Sequence, residues 1–274
     1  MFHRRRALSY APPAPSGGGT GDLTWIGYYQ PVTSTSSSYS TISFNSGSMT
    51  AGSGTFKSSD KWIIMGVASR DANGEQTPAW SNTFTVSNVN QATTTTAKEI
   101  GYQGTASASN SYTSLAFYAW FSSDTRFSGT ISLGGTHEGG SAVGFWELDS
   151  TDTDLWYDRS FSTNSSITNT TMYVPRKKWS DYPTLTNYTV PSFSRVHAIY
   201  GHGTSNAVPG TPTANTYVPT WTRRLELEHG TAEWVEWNDG EVTTIPSTSW
   251  TQGGTGAGSS STTNVTVALT VGVL

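Results

Sequence analysis

The chain contains no cysteine. That excludes a disulfide framework, thiolate catalysis and cysteine-based zinc sites. Charge is scarce as well. Asp, Glu, Lys and Arg make up 12% of the 274 residues, about half the usual share, and the net charge is −4. The few basic residues form no stripe interleaved with aromatics, so no direct nucleic-acid binding is expected. No apolar run approaches the ~20 residues that a membrane-spanning helix needs, so no membrane insertion is expected either. Helical periodicity is missing along the whole chain. Arg4, Arg5 and Arg6 open the sequence as a signal peptide would, but Pro12, Pro13 and Pro15 and then Gly17 to Gly19 stand where an apolar run is required. The expectation is a protein without a secretory signal, made and assembled in a cytoplasm.

What fills the chain is Ser, Thr, Gly and Asn, together with 12% aromatics, eleven of them Trp. Ser, Thr and Asn compete for backbone hydrogen bonds, and Gly costs roughly 1 kcal/mol inside a helix. Thr and aromatic side chains suit a pleated surface. So many aromatics also argue against intrinsic disorder.

Residues 1–22 read as an extended arm. A basic start runs into a proline-rich spacer and then a glycine hinge, a composition that buries no core. It fits a solvated tail or an arm lying along a neighbouring subunit. We take the arm as the expectation, with Arg4, Arg5, Arg6, Tyr10, Pro12 and Pro13 as its docking residues.

From Leu23 the pattern is strand-like. Lys61 to Ser69 and Ser114 to Phe121 are near-continuous apolar runs, as in central strands covered on both faces. Thr41 to Asn45, Thr83 to Val89 and Gly129 to Leu133 alternate, and Ala142 to Leu148 closes this series. Gly134 to Gly140 reads as a turn. Beyond residue 150, Thr170 to Val174 alternates, and Arg195 to Tyr200 puts Val196, Ala198 and Tyr200 on one face. Thr222 to Trp237 reads as a hairpin about His229-Gly230, and Asn264 to Val273 is a last long strand. The fold class this predicts is all-β, an antiparallel β-sandwich or jelly roll, with two similar halves behind the arm. The halves would be 23–149 and 150–274, the latter either a second sandwich or the second half of one large one.

Residues that could carry chemistry are few. No Gly-x-Ser-x-Gly elbow occurs, and none of His3, His137, His197, His202 and His229 stands in a context that names a triad. His197 and His202 are five apart on one strand, so they need not face the same way, and zinc needs three or four convergent ligands. Asp71, Asn73 and Glu75 resemble the opening of a calcium loop but lack its closing glutamate, which leaves a hydrophilic turn. No metal and no cofactor is expected. Glu226, Glu228, Glu233 and Glu236 cluster on the hairpin beside Trp234 and Trp237. Two carboxylates across a sugar are what a glycoside hydrolase uses. Alternation of these glutamates with Leu225 and Leu227 is equally the pattern of a half-exposed strand. Trp62, Trp120 and Trp146 lie in apolar strands and read as core. Trp80, Trp156, Trp179 and Trp250 lie near turns and are the candidate contacts for a glycan or a partner protein.

The succession Lys61-Trp-Ile-Ile-Met-Gly-Val-Ala-Ser-Arg, Thr83-Phe-Thr-Val-Ser-Asn-Val, Leu115-Ala-Phe-Tyr-Ala-Trp-Phe, Gly129-Thr-Ile-Ser-Leu and Val143-Gly-Phe-Trp-Glu-Leu resembles virion structural proteins of tailed bacteriophages and prophages. Thr220-Trp-Thr-Arg-Arg-Leu-Glu-Leu and the last strand fit the same type more loosely. The resemblance covers about half the chain and brings no catalytic motif. It implies a non-enzymatic role on the virion surface, as capsid decoration, head fibre or tail component, assembled in the host bacterial cytoplasm. The partners it implies are the major capsid or tail proteins and further copies of the chain. A glycan-binding adhesin using the turn tryptophans, with host surface glycan as its partner, is the alternative from another class, and hydrolysis by the glutamate hairpin a third.

Overall fold

The computed structural model describes residues 19–33, 38–71, 80–105, 112–162, 170–181, 191–205, 210–229, 233–255 and 264–274. In the first half the strands are β1 (Leu23–Val32), β2 (Ser38–Asn45), β3 (Ala51–Gly52), β4 (Lys61–Asp71), β5 (Thr83–Asn88), β6 (Thr93–Thr105), β7 (Tyr112–Ser122), β8 (Phe127–Glu138) and β9 (Ser141–Asp149). In the second half they are β10 (Trp156–Ser162), β11 (Thr170–Tyr173), β12 (Lys177–Lys178), β13 (Arg195–Ser205), β14 (Thr222–His229), β15 (Glu233–Glu241), β16 (Ser249–Gln252) and β17 (Asn264–Val273). Among the described residues the only helical turns are two short 3-10 turns, Ser46–Ser48 and Trp179–Asp181. The ladders between strands are antiparallel, so the chain is an all-β, sandwich-like protein.

Strands β1 to β9 form one nine-stranded sheet, in the order β2-β8-β5-β6-β7-β4-β9-β1-β3. A six-stranded sheet, β12-β10-β17-β13-β15-β14, comes from the second half, and β11 pairs with β16 separately. The two large sheets differ in size and strand order, and the break between them falls between Asp149 and Trp156.

Three apolar cores follow from strand alternation, since neighbouring side chains leave opposite faces. Strand β4 sends Trp62, Ile64 and Ala68 to one face and Ile63, Met65 and Val67 to the other. β7 splits likewise, Phe117 and Ala119 against Tyr118 and Trp120. The first set meets Ile199, Val235, Trp237, Val267 and Leu269 of the six-stranded sheet, so the two sheets share a core. The second set lies inside the nine-stranded sheet, which curls into a half-barrel. Phe44 of β2 reaches Phe145 of β9 at a ring separation of 5.6 Å, and the Tyr39 hydroxyl donates to the Gly140 carbonyl at 2.9 Å. The third core lies on the outer face of the six-stranded sheet, where Val196, Ala198 and Tyr200 pack with Met172 and Trp250 of the β11–β16 pair. The strand β4 expected to be covered on both faces is so covered, by two different cores.

One strand was not anticipated from the sequence, and one expected turn needs correction. Thr93–Thr105 is the longest strand and shows no apolar run. Only Ala97, Ile100, Gly101 and Gly104 are buried among its described side chains, so its thirteen residues carry almost no signal. Residues 134–138, expected in a turn, continue β8, because Ser38 and Tyr39 of β2 pair with Glu138 and His137.

Candidate functional site

The arm residues Arg4, Arg5, Arg6, Tyr10, Pro12 and Pro13 lie outside the described residues, as do Asn73 and Glu75 of the calcium-like turn. Residues 19–22, the last of the segment expected to form an arm, are described, and they are tied to both sheets. Gly21 N donates to the Asp149 carbonyl at 2.9 Å and Asp149 N to the Asp22 carbonyl at 3.0 Å, extending the β1–β9 ladder backwards. The Thr20 hydroxyl donates to Asp149 at 3.0 Å. From the other sheet, His197 Nε2 lies 2.7 Å from the Gly21 carbonyl, and Arg195 pairs with Asp22 and, at 3.3 Å, with Glu241. Burial pushes His197 below the ordinary imidazole value, and its hydrogen bond to Gly21 opposes that shift.

Beside these residues is a cleft of about 270 Å³ whose lining includes Asp22, His197, Arg224, Asp239 and Glu241. Asp239 is 5% exposed and accepts from Arg224 Nε at 2.8 Å and from Trp146 Nε1 at 2.7 Å. That second bond crosses between the sheets. Asp239→Ala would leave a buried indole N–H without an acceptor and Arg224 without its counter-ion. The expected loss is about 1–3 kcal/mol, read from urea denaturation midpoints at unchanged slope.

The glutamate hairpin forms as β14 and β15, with Glu226 directly opposite Glu236. His202 is opposite Glu236 on the other side, and Thr266 opposite His202, so one polar row crosses the outer face of the six-stranded sheet. Sequence spacing gave no hint that His202 and Glu236 would meet. His202 Nδ1 is 3.0 Å from the Thr266 hydroxyl, and Asn238 donates to Glu236 Oε1 at 2.7 Å. Desolvation raises Glu236 above the usual carboxylate range and lowers His202 to about 3. Glu226 pairs with Arg223 at the rim. A carboxyl raised by burial beside an ion-paired one is the division of labour that acid–base hydrolysis uses. Here both Glu236 and His202 are 0% exposed, whereas Glu226 lies at the exposed edge of the sheet, so the inner part of the row is closed to solvent. His197 and His202 face opposite sides of β13, and no cluster of three or more His, Asp or Glu able to hold a metal occurs among the described residues.

The turn tryptophans are packed into the body. Trp80 and Trp250 belong to two of the cores. Trp156 packs against Phe193 at 5.9 Å with Lys178 over its ring. Trp179 is half-buried, 5.1 Å from Trp62, and Lys98 Nζ lies 3.9 Å from its ring centroid. Trp156 and Trp250 are also strand residues, opposite Gly272 and Met172. What sequence reading missed was the clamp on residues 20–22. Its partners are as much as 176 residues apart, and no local pattern announces such a pair.

No family model, curated protein or solved structure matches this chain.

Proposed function

We propose that this chain is a non-enzymatic structural protein of a bacteriophage particle surface, a capsid decoration, head fibre or tail component docked through residues 1–22. The observation that carries the reading is the clamp at the arm root. Residues 20–22 bond to β9 in one sheet and to β13 in the other. A pull on the arm is therefore shared by both sheets through several hydrogen bonds at once, instead of peeling one strand. A body held by a tether needs that property, and a solvated tail does not. The low charge and hydroxyl-rich surface fit a body packed among neighbours. The partners would be the major capsid or tail proteins, and repeated copies would gain attachment by avidity from modest individual contacts.

Deletion of residues 1–18 tests this. The shortened chain is expected to melt within about 0.5 kcal/mol of the full one, since the clamp is kept. It is expected to lose particle attachment in a sedimentation assay. Full occupancy by the shortened chain would rule out docking through the arm.

A further inference from the structure

We infer that residues 4–10 of one copy add as an extra antiparallel strand to the free edge of β14 in a neighbouring copy. The inference rests on the reading of residues 1–22 as a docking arm and names the surface that receives it. Strand β14 ends the six-stranded sheet, and among the described residues no backbone group bonds to its other edge. Alternate residues along it therefore present N–H and C=O groups that a further strand can pair.

Three other strands end the two large sheets, and none offers the same surface. β3 and β12 are two residues long, and β12 is Lys177-Lys178. β2 has eight residues and no charge. β14 also has eight residues, and it carries exposed acid. Glu226 is paired with Arg223 inside the strand, whereas Glu228 meets no cation among the described residues. Leu225 and Leu227 point the other way, into the core that the two sheets share. Leu227 is only half-buried there, and so are Trp25 and Tyr28 of β1, which runs beside β14. An added strand would have carboxylate on one side and apolar surface to cover on the other.

Residues 4–10, Arg-Arg-Arg-Ala-Leu-Ser-Tyr, have that character. They precede the prolines and glycines of the arm, so every residue keeps its ladder donor. The first 18 residues hold three of the chain's fifteen Lys and Arg and none of its nineteen Asp and Glu. In a strand Leu8 and Tyr10 share one side and Arg5 takes the other. Antiparallel pairing that sets Leu8 beside Leu225 sets Arg5 beside Glu228. Backbone bonds then supply the attachment and the side chains fix its register, as in other strand-addition complexes. Residues 11–18 form the tether, and a proline-rich stretch of that length can span about 25 Å, enough to pass from one body to the next.

The test is amide hydrogen exchange of the full chain at ~1 μM and ~500 μM, beside sedimentation velocity at both concentrations. Raising the concentration is expected to slow exchange in β14 about tenfold and to speed sedimentation, and deletion of residues 1–18 to abolish both. Ala7→Pro takes one donor from the arm without altering its charge or the described body. It is expected to abolish the slowing, and Ala7→Thr to keep it. Glu228→Lys, at an exposed position, is expected to weaken association about tenfold. Three results would overturn the inference. One is β14 exchange that is the same at both concentrations and in the shortened chain. Another is slowing by the arm that does not depend on concentration, which would place the contact within one chain. The last is slowing that survives Ala7→Pro, which would mean charge attraction without strand pairing. On particles the two readings separate. Full attachment of the Ala7→Pro and Glu228→Lys chains, with none of the shortened chain, would mean that the arm docks on another protein, and only this inference would fall.

Discussion

Trp237→Ala is expected to cost about 3–5 kcal/mol, the range for removing a large side chain from a closed core. Trp237 belongs to β15 of the smaller sheet and is 0% exposed. Its ring lies 5.8 Å from Trp146 and 6.3 Å from Trp25, both in the nine-stranded sheet. The fit is close enough that a Cβ at Gly144 would fall 2.2 Å from the indole. Truncation therefore opens a hole between the sheets that rigid strands on both sides cannot collapse into. Gly144→Ala should fail in the opposite sense, by overpacking the same contact, at about 1–3 kcal/mol. Because the lost contact joins the sheets, tryptophan fluorescence and far-ultraviolet circular dichroism should shift together to a lower urea midpoint. Two separate transitions, with only the second half affected, would mean that the sheets do not share a cooperative core.

Acid is expected to have the next largest effect, through buried imidazoles. Burial lowers His202 to about 3 and His137 to about 4, and it lowers His197 as well. Their folded values lie below the unfolded value of about 6.5, so the unfolded chain takes up protons first as pH falls. Stability from these groups is complete above pH ~6.5 and drains away below it, by about 1.4 kcal/mol per pH unit for each histidine. Two carboxyls act the other way. Glu99 and Glu236 are raised by desolvation, so they hold protons more tightly when folded and stabilise as pH falls toward their ordinary range. The groups facing His202 are Thr266, Tyr200 and Glu236, with Arg223 beyond at 3.9 Å from Glu236. The cleanest reading is therefore a difference. His202→Gln should flatten the stability profile between pH ~6.5 and ~4 by close to one proton, about 3 kcal/mol over two pH units. Parallel profiles for the two proteins would show that His202 is not held neutral in the folded chain.

Parts of this architecture are written locally in the sequence. From Trp62 to Ser69 in β4 and from Ser114 to Phe121 in β7 the positions are apolar or small, and both strands are buried on both faces. In β13 the even positions Val196, Ala198 and Tyr200 share one face, as their spacing requires. Alternation says that a face is covered without saying by what. That Trp146 would meet Trp237, or that Arg195 would clamp Asp22, depends on how the sheets are stacked. Strand β6 fails as a signal for a different reason. Its first part, with Thr94, Thr95 and Thr96, pairs with β5, and its second part, from Lys98 on, pairs with β7, so ladder pairing holds it in place of apolar burial. The tryptophans near turns show the limit of composition. Trp80 and Trp250 look like surface aromatics from their flanking residues, yet they are 5% and 4% exposed because the chain folds back over them.

If this body sits on a particle and is held by its arm, cryo-electron microscopy of purified particles carrying the chain is expected to show density for the two-sheet body at regular lattice positions, with the Thr20–Asp22 end turned to the shell or tail and residues 1–18 running between subunits. Particles with no such density, or bodies attached by another face with the Thr20–Asp22 end pointing into solvent, would contradict it.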